Sequence, residues 1–390
     1  MKAYIRPMLA RDPDEGHRAA TPLELLFDLA SVVAIAAASV GLHHAIADAH
    51  ALDGVIRFVM AFFAIWWAWM NYTWFASAYD NEDALFRVLS MVMIGGSIVI
   101  AAGIDPLFKS LDLTTVILGY VITRVPLIFL WLRAAMADAT RRQTCLRYAV
   151  GIAVAQIFWI SLLFMPDVSM TLFLGVFLLG VLIELAVPAL AERSVNTSWH
   201  RHHIIERYGL LTIIVLGEVL LAAYIALQSV FGETTDMSLI RVAVYAVTVM
   251  AAMWWLYFSD EDHLDDTNLG RALSWGYGHF LVFGSAAAVG AGFAVMVDVV
   301  TDHARIDMQT AVQSVAIPLA LYMFSLWLIR DRVILRGLAS FIPLIFAGLV
   351  LVTVFVPVGF GWLTVLSIAC VVIRNALARA QGLADLGDAS

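Results

Sequence analysis

Three ionisable side chains are embedded in apolar sequence: Asp28 in ELLFDLASVV, Arg124 in YVITRVPLIF and Glu218 in IVLGEVLLA. At bilayer depth a bare charge costs several kcal/mol, so such a carboxylate takes a proton, binds a cation or pairs with a base. A guanidinium does not shed its proton and needs a carboxylate or water. Asp28 and Glu218 each open a corresponding half of the chain, so they are the expected partners of Arg124. Two chemistries follow. Asp28 and Glu218 bind a proton or cation that Arg124 competes for, or the three form a static buried network that fixes helix register.

Weaker candidates surround these three. Glu24, Asp28, Ser31, Ser39 and His43 fall on one face of a helix at 100° per residue, a polar stripe suited to a hydrated path or to close packing. Glu24 also suits a helix N-terminus, which favours an acid. Glu184 reads as interfacial, and His279 as a packing residue more readily than a proton relay. His43 and His44 stand near an outer mouth. The run HRHHIIE (200–206) sets His202 and Glu206 at i, i+4, a Zn²⁺-compatible spacing, but two ligands do not make a site. The Trp clusters 66–69 and 254–255 read as packing or interfacial aromatics. No phosphate-binding glycine loop, HExxH motif or nucleophile setting is present, so neither an enzyme nor a metal or cofactor is expected.

The elements that position these residues follow from composition. Of the 390 residues, 62% are hydrophobic and 14% charged, against about 25% charged in ordinary globular domains. Apolar runs long enough to cross a ~30 Å hydrocarbon core recur throughout. They predict about 12 transmembrane helices, at 22–46, 54–79, 85–103, 113–135, 148–165, 169–190, 207–230, 238–258, 272–298, 309–329, 335–355 and 358–377. The last two are divided only by PVGFG and could be one broken element. Residues 1–20 are polar, so no cleavable signal peptide is expected and the first span directs insertion. With the N-terminus inside, 18 Lys and Arg fall in cytoplasmic segments and 4 outside, which predicts both termini cytoplasmic. The acidic loop 260–266 then also lies inside. Cys145 and Cys370 are expected as free thiols, and no basic nucleic-acid patch is visible.

At an offset of 184, Ile56–Arg57 align with Ile240–Arg241, and Leu85, Arg87, Leu89 and Ser90 with Leu269, Arg271, Leu273 and Ser274. Both segments carry a Trp-rich helix, an acidic loop, an Arg and a new helix. Six spans per half make the repeats parallel. The expected layout is a cytoplasmic segment 1–20, repeats 21–190 and 207–377, a cytoplasmic linker 191–206 and a cytoplasmic tail 378–390.

TPLELLFDLASVVAIA (21–36) resembles the opening signature of the bacterial low temperature requirement A family, and ERYGLLTIIVLGEVLL (206–221) resembles that family's second hallmark. Arg124 stands in a similar context, and WWLYFSD (254–260) with GYGHFLVFG (276–284) completes the likeness. The chain departs from the signature at Leu-Ala-Ser after Asp28. The resemblance implies a bacterial inner-membrane protein associated with growth in the cold. It supports Glu24, Asp28, Arg124, Glu206, Arg207, Gly217 and Glu218 as site residues. The resemblance supplies no biochemical activity; the three embedded charges in a two-half chain give the expectation of an all-α polytopic integral membrane protein that is a transporter or channel-like protein for a small solute or ion with proton coupling. The alternative is a non-transport membrane-adaptation or interaction protein with structural ion pairs. Its partners are the lipid bilayer and that solute or ion, with homo-oligomerisation left open.

Overall fold

The computed structural model describes residues 5–13, 15–16, 18–166, 168–232, 237–260, 264, 269–356 and 359–388. The described residues form helices and no strand. In order these are α1 (Pro22–Ala47), α2 (Ala51–Tyr79), α3 (Ala84–Ser110), α4 (Thr114–Ala137), α5 (Arg142–Ser161), α6 (Met170–Ala191), α7 (Arg201–Gly232), α8 (Met237–Tyr257), α9 (Leu269–Val300), α10 (Met308–Leu326), α11 (Gly337–Val352) and α12 (Gly361–Asp388). A 3₁₀ turn, Leu162–Phe164, extends α5. α10 continues through a π-helical turn, Trp327–Asp331, into a last turn, Arg332–Ile334.

Eleven of these helices are long and apolar enough to cross a membrane, and α11 is a shorter apolar helix of 16 residues. Helices satisfy their own backbone groups, which lipid cannot do for them. Their outward faces carry large apolar side chains such as Leu29, Phe129, Ile157, Leu182, Val244 and Phe341. The chain is a multi-pass membrane protein.

Local chemistry sets the helix ends. Thr21 caps α1: its hydroxyl accepts from Glu24 N at 3.3 Å, and Glu24 Oε2 accepts from Thr21 N at 2.8 Å, a reciprocal capping box with Pro22 at the first helical position. Asp83 caps α3 by accepting from Phe86 N at 2.8 Å, and Asp307 caps α10 by accepting from Thr310 N at 2.8 Å.

The chain divides into two compact units: Met1–Ala37 with Met60–Tyr208, and Ala38–Val59 with Gly209–Ser390. In the first, α3, α4, α5 and α6 pack in serial order. α3 and α4 cross closely because Gly96, Gly103 and Gly119 line the contact, and a Cβ on Gly119 would lie 2.5 Å from the Ile100 amide. In the second, α9, α10, α11 and α12 pack in serial order and α12 also packs on α8. A Cβ on Gly292 of α9 would lie 2.4 Å from the Ser314 carbonyl of α10.

Several boundaries differ from the sequence expectation. α3 runs on to Ser110 through Pro106 rather than ending near 103. α7 begins at Arg201, so residues 201–206 of the expected linker 191–206 are helical and Arg207 lies nearly two turns inside a helix. The last two spans are separate helices, α11 and α12. Pro357 and Val358 of the turn between them, and residues 261–263 and 265–266 of the acidic loop, lie outside the described residues.

Candidate functional site

The capping box brings Glu24 to the inner face of α1, and Asp28 follows one turn later on the same face. His203 and Arg207 are spaced identically on α7. All four side chains are buried. Glu24 Oε1 lies 3.0 Å from His203 Nε2 and 3.2 Å from Arg207 Nη1. Arg207 Nη2 donates to Asp28 Oδ1 at 2.5 Å, and Trp69 Nε1 of α2 donates to the same oxygen at 2.6 Å. Arg207 also lies over the Trp69 ring at 6.0 Å. Asp28 Oδ2, His203 Nδ1 and Arg207 Nε are buried with no hydrogen-bond partner among the described residues. The cluster therefore has two carboxylates for one permanent cation, with donors and acceptors to spare.

A second cluster lies in the same unit. Glu184 of α6 accepts from Trp67 at 2.7 Å, Tyr120 at 2.9 Å and Trp159 at 3.1 Å. Arg124 stands 3.9 Å from Glu184, donates to the Tyr120 hydroxyl and lies 4.4 Å above the Tyr120 ring. Trp67 and Trp69, two residues apart on α2, point to nearly opposite sides and so serve different carboxylates.

The expected triad is accordingly corrected. Arg124 pairs with Glu184, which is buried inside the protein, and Asp28 pairs with Arg207. Glu218 belongs to the second unit, beside Ser39 of α1. It packs against α9 where Gly290 makes room: a Cβ there would lie 2.7 Å from Glu218 Cβ.

Outside the spans, the segment before α1 ties down the ends of the helices. Arg18 donates to the Ala76 carbonyl at 2.9 Å and to that of Ser77, at the C-terminal end of α2, where a cation is favoured. Arg133 pairs with Asp83, and Arg6 N donates to Asp83 Oδ2 at 2.9 Å. These bonds hold the Asp83 carboxyl at about 2, below its usual range, against the opposing effect of burial. Burial pushes the neighbouring Asp80 carboxyl up to about 6.

Comparison with known proteins adds the family. The profile of the family described as bacterial low temperature requirement A protein (LtrA) matches residues 19–376. This chain belongs to the LtrA family. An uncharacterized protein of Rhizobium meliloti (strain 1021) is 25% identical over 287 residues, covering 70% of this chain and 68% of its own length. No solved structure matches the chain.

The remaining candidates of this LtrA-family chain take different settings. His43 Nε2 lies 2.6 Å from Asp298 Oδ2. Glu206 is half-buried and accepts from Ala20 N at 3.4 Å. Around Gly217 the space is open: an added Cβ would meet nothing within 4 Å. His279 is buried between the Tyr257 hydroxyl at 3.0 Å and the Trp275 carbonyl at 2.9 Å, as a packing histidine would be. Ser31 spends its hydroxyl on the Phe27 carbonyl at 3.1 Å, inside its own helix. Among the described residues no three His, Cys, Asp or Glu are grouped to hold a metal, and His202 is exposed. The sequence reading takes Glu184 as interfacial rather than as the partner of Arg124, and gives His203 no role beside Glu24. The i, i+4 spacing of His203 and Arg207, matching that of Glu24 and Asp28, was the available signal for the second.

Proposed function

We propose that this LtrA-family protein is a proton-linked transporter or channel-like protein for a small solute or ion, with Glu24, His203, Arg207 and Asp28 as its proton-responsive element. One observation carries the reading: on spanning helices, two buried carboxylates share one guanidinium. With His203 neutral the four side chains carry one excess negative charge, which a low-dielectric site tolerates poorly and which the nearby Arg18 guanidinium, acting on Glu24 and His203, offsets in part. One proton, or one monovalent cation, brings the four to neutrality. A proton on Asp28 weakens its hold on Arg207 and Trp69, which frees α1 and α7 to shift. Glu218 beside Ser39 is a second carboxylate of the same kind.

The wider expectations belong to the same reading. The excess of Lys and Arg in one set of loops supports an inner-membrane protein with both termini cytoplasmic. The matching serial packing of α3–α6 and α9–α12 supports two parallel six-helix repeats.

The test is proton, K⁺ and Na⁺ flux in proteoliposomes, wild type beside Asp28→Asn and Glu218→Gln. Flux present in wild type and lost in folded variants supports transport. Equal flux in all three refutes a role for these carboxylates. No flux under any of these gradients favours the second reading, a membrane-adaptation protein with structural ion pairs. Glu184 motivates that alternative, because its three aromatic donors already satisfy it.

A further inference from the structure

The ends of α1, α2 and α3 enclose a cleft of about 400 Å³ in the first unit, lined by Leu23, Leu26, Asp80, Glu82, Arg87 and Met91. It lies where three spanning helices meet their loops, at the boundary between hydrocarbon and water. Its polar end has both signs of charge. Asp80 is 3% exposed, with Oδ1 accepting from Glu82 N at 2.7 Å. Glu82 is exposed and held at φ 53°, a conformation a non-glycine residue rarely adopts. Arg87, on the first turn of α3, is exposed, and its guanidinium has no partner among the described residues. The apolar end is formed by Leu26 and Met91, 38% and 50% exposed, and continues along the exposed faces of Leu29 and Val88.

A single occupant answers all of these features. It has a cationic group for Asp80 and Glu82, an anionic group for Arg87, and alkyl chains that leave along α1 and α3 into the bilayer. A purely anionic lipid would bring its phosphate against two carboxylates. A choline headgroup has no N–H to donate to the buried Asp80 carboxylate. We propose that this cleft binds a zwitterionic phospholipid with a primary ammonium, the ammonium on Asp80, the phosphate on Arg87 and the acyl chains along Leu26 and Met91. The cleft adjoins the Glu24–Arg207 cluster through Thr21, which lines it and donates to Glu24, but the lipid site does not depend on the transport reading.

The test is native mass spectrometry of the purified full chain, with phosphatidylethanolamine, phosphatidylcholine and phosphatidylglycerol of matched acyl chains. The ethanolamine lipid is retained about tenfold over the choline lipid, the worth of one charge-assisted hydrogen bond. Asp80→Asn brings the two to parity. Arg87→Gln, at an exposed position that leaves the fold intact, weakens retention of both zwitterionic lipids. Lys109→Gln, exposed near the other end of α3, changes nothing. Equal retention of ethanolamine and choline lipids in wild type, a preference for phosphatidylglycerol, or an Arg87→Gln protein that behaves as wild type overturns the proposal. So does displacement of the lipid by equimolar glycerophosphoethanolamine, which has no acyl chains.

Discussion

Arg207 is the side chain on which most buried charge converges, because one guanidinium reaches both Glu24 and Asp28. Removing it strands two carboxylates. Arg207→Gln should therefore destabilise by about 3–5 kcal/mol, read as a fall in Tm in detergent, with Asp28→Asn in the same chain recovering part of the loss. Losses of Arg207→Gln and Asp28→Asn alone that simply add in the double variant would show that the pair is not coupled. Asp80 makes a pH prediction. Its folded pKa of about 6 stands above the unfolded 3.8, so its contribution is fully present below about 4 and lost as pH rises through 6. The difference is about 3 kcal/mol. Wild-type Tm should fall over this window relative to Asp80→Asn, and parallel curves would refute it. Glu24 and Glu82 reinforce the rise while Arg18 opposes it. Asp83 runs the other way: its depressed carboxyl stabilises above the unfolded value, and that support is lost as pH falls through about 2. At this scale the sequence disclosed which residues are costly in lipid but not who relieves them. Asp28 and Arg124 stand out in any apolar run. Their partners, Arg207 and Glu184, are 179 and 60 positions away, and an indole donor such as Trp69 looks like any packing aromatic until α2 is placed beside α1.

Helices explain where the reading succeeded and where it slipped. Apolar runs of ~20 residues announce spans by themselves, and all twelve expected spans correspond to helices. The start of α7 was missed because RHHIIER looks like a polar loop. Its polar residues are helical because they face the acids of α1: His203 and Arg207 are buried, and His200 N donates to Ser77 Oγ at 2.9 Å. The α3–α4 crossing makes a second stability prediction. Gly119→Ala forces a Cβ against the Ile100 backbone and should cost about 1–3 kcal/mol in thermal unfolding. Gly95→Ala, where an added Cβ meets nothing within 4 Å, should leave Tm unchanged or raise it. Similar losses in both would remove the close approach as the cause.

For the whole molecule, the charge asymmetry of the loops predicts that reporter domains fused to either terminus are active only in their cytoplasmic form. A fusion active outside would reverse the orientation and move the cleft at Asp80 to the other leaflet. The proposed internal repeat rests on the order of features in the sequence and on the serial packing of α3–α6 and α9–α12. The compact units do not follow the expected boundary, since residues 38–59 group with 209–390. Long helices such as α1 and α2 contribute to both units, which a division by sequence position cannot anticipate. α11 adds a property of the surrounding membrane. At 16 residues it spans about 24 Å against a hydrocarbon core of about 30 Å, and its outward side bears Leu338, Phe341, Ile345 and Leu349. If α11 crosses the bilayer by itself, lipids beside it compress to meet it, at a fraction of a kcal/mol per ångström of hydrophobic mismatch. Acyl chains that shorten relieve that compression and chains that lengthen deepen it, so α11 makes the protein's energy a function of the lipid composition around it.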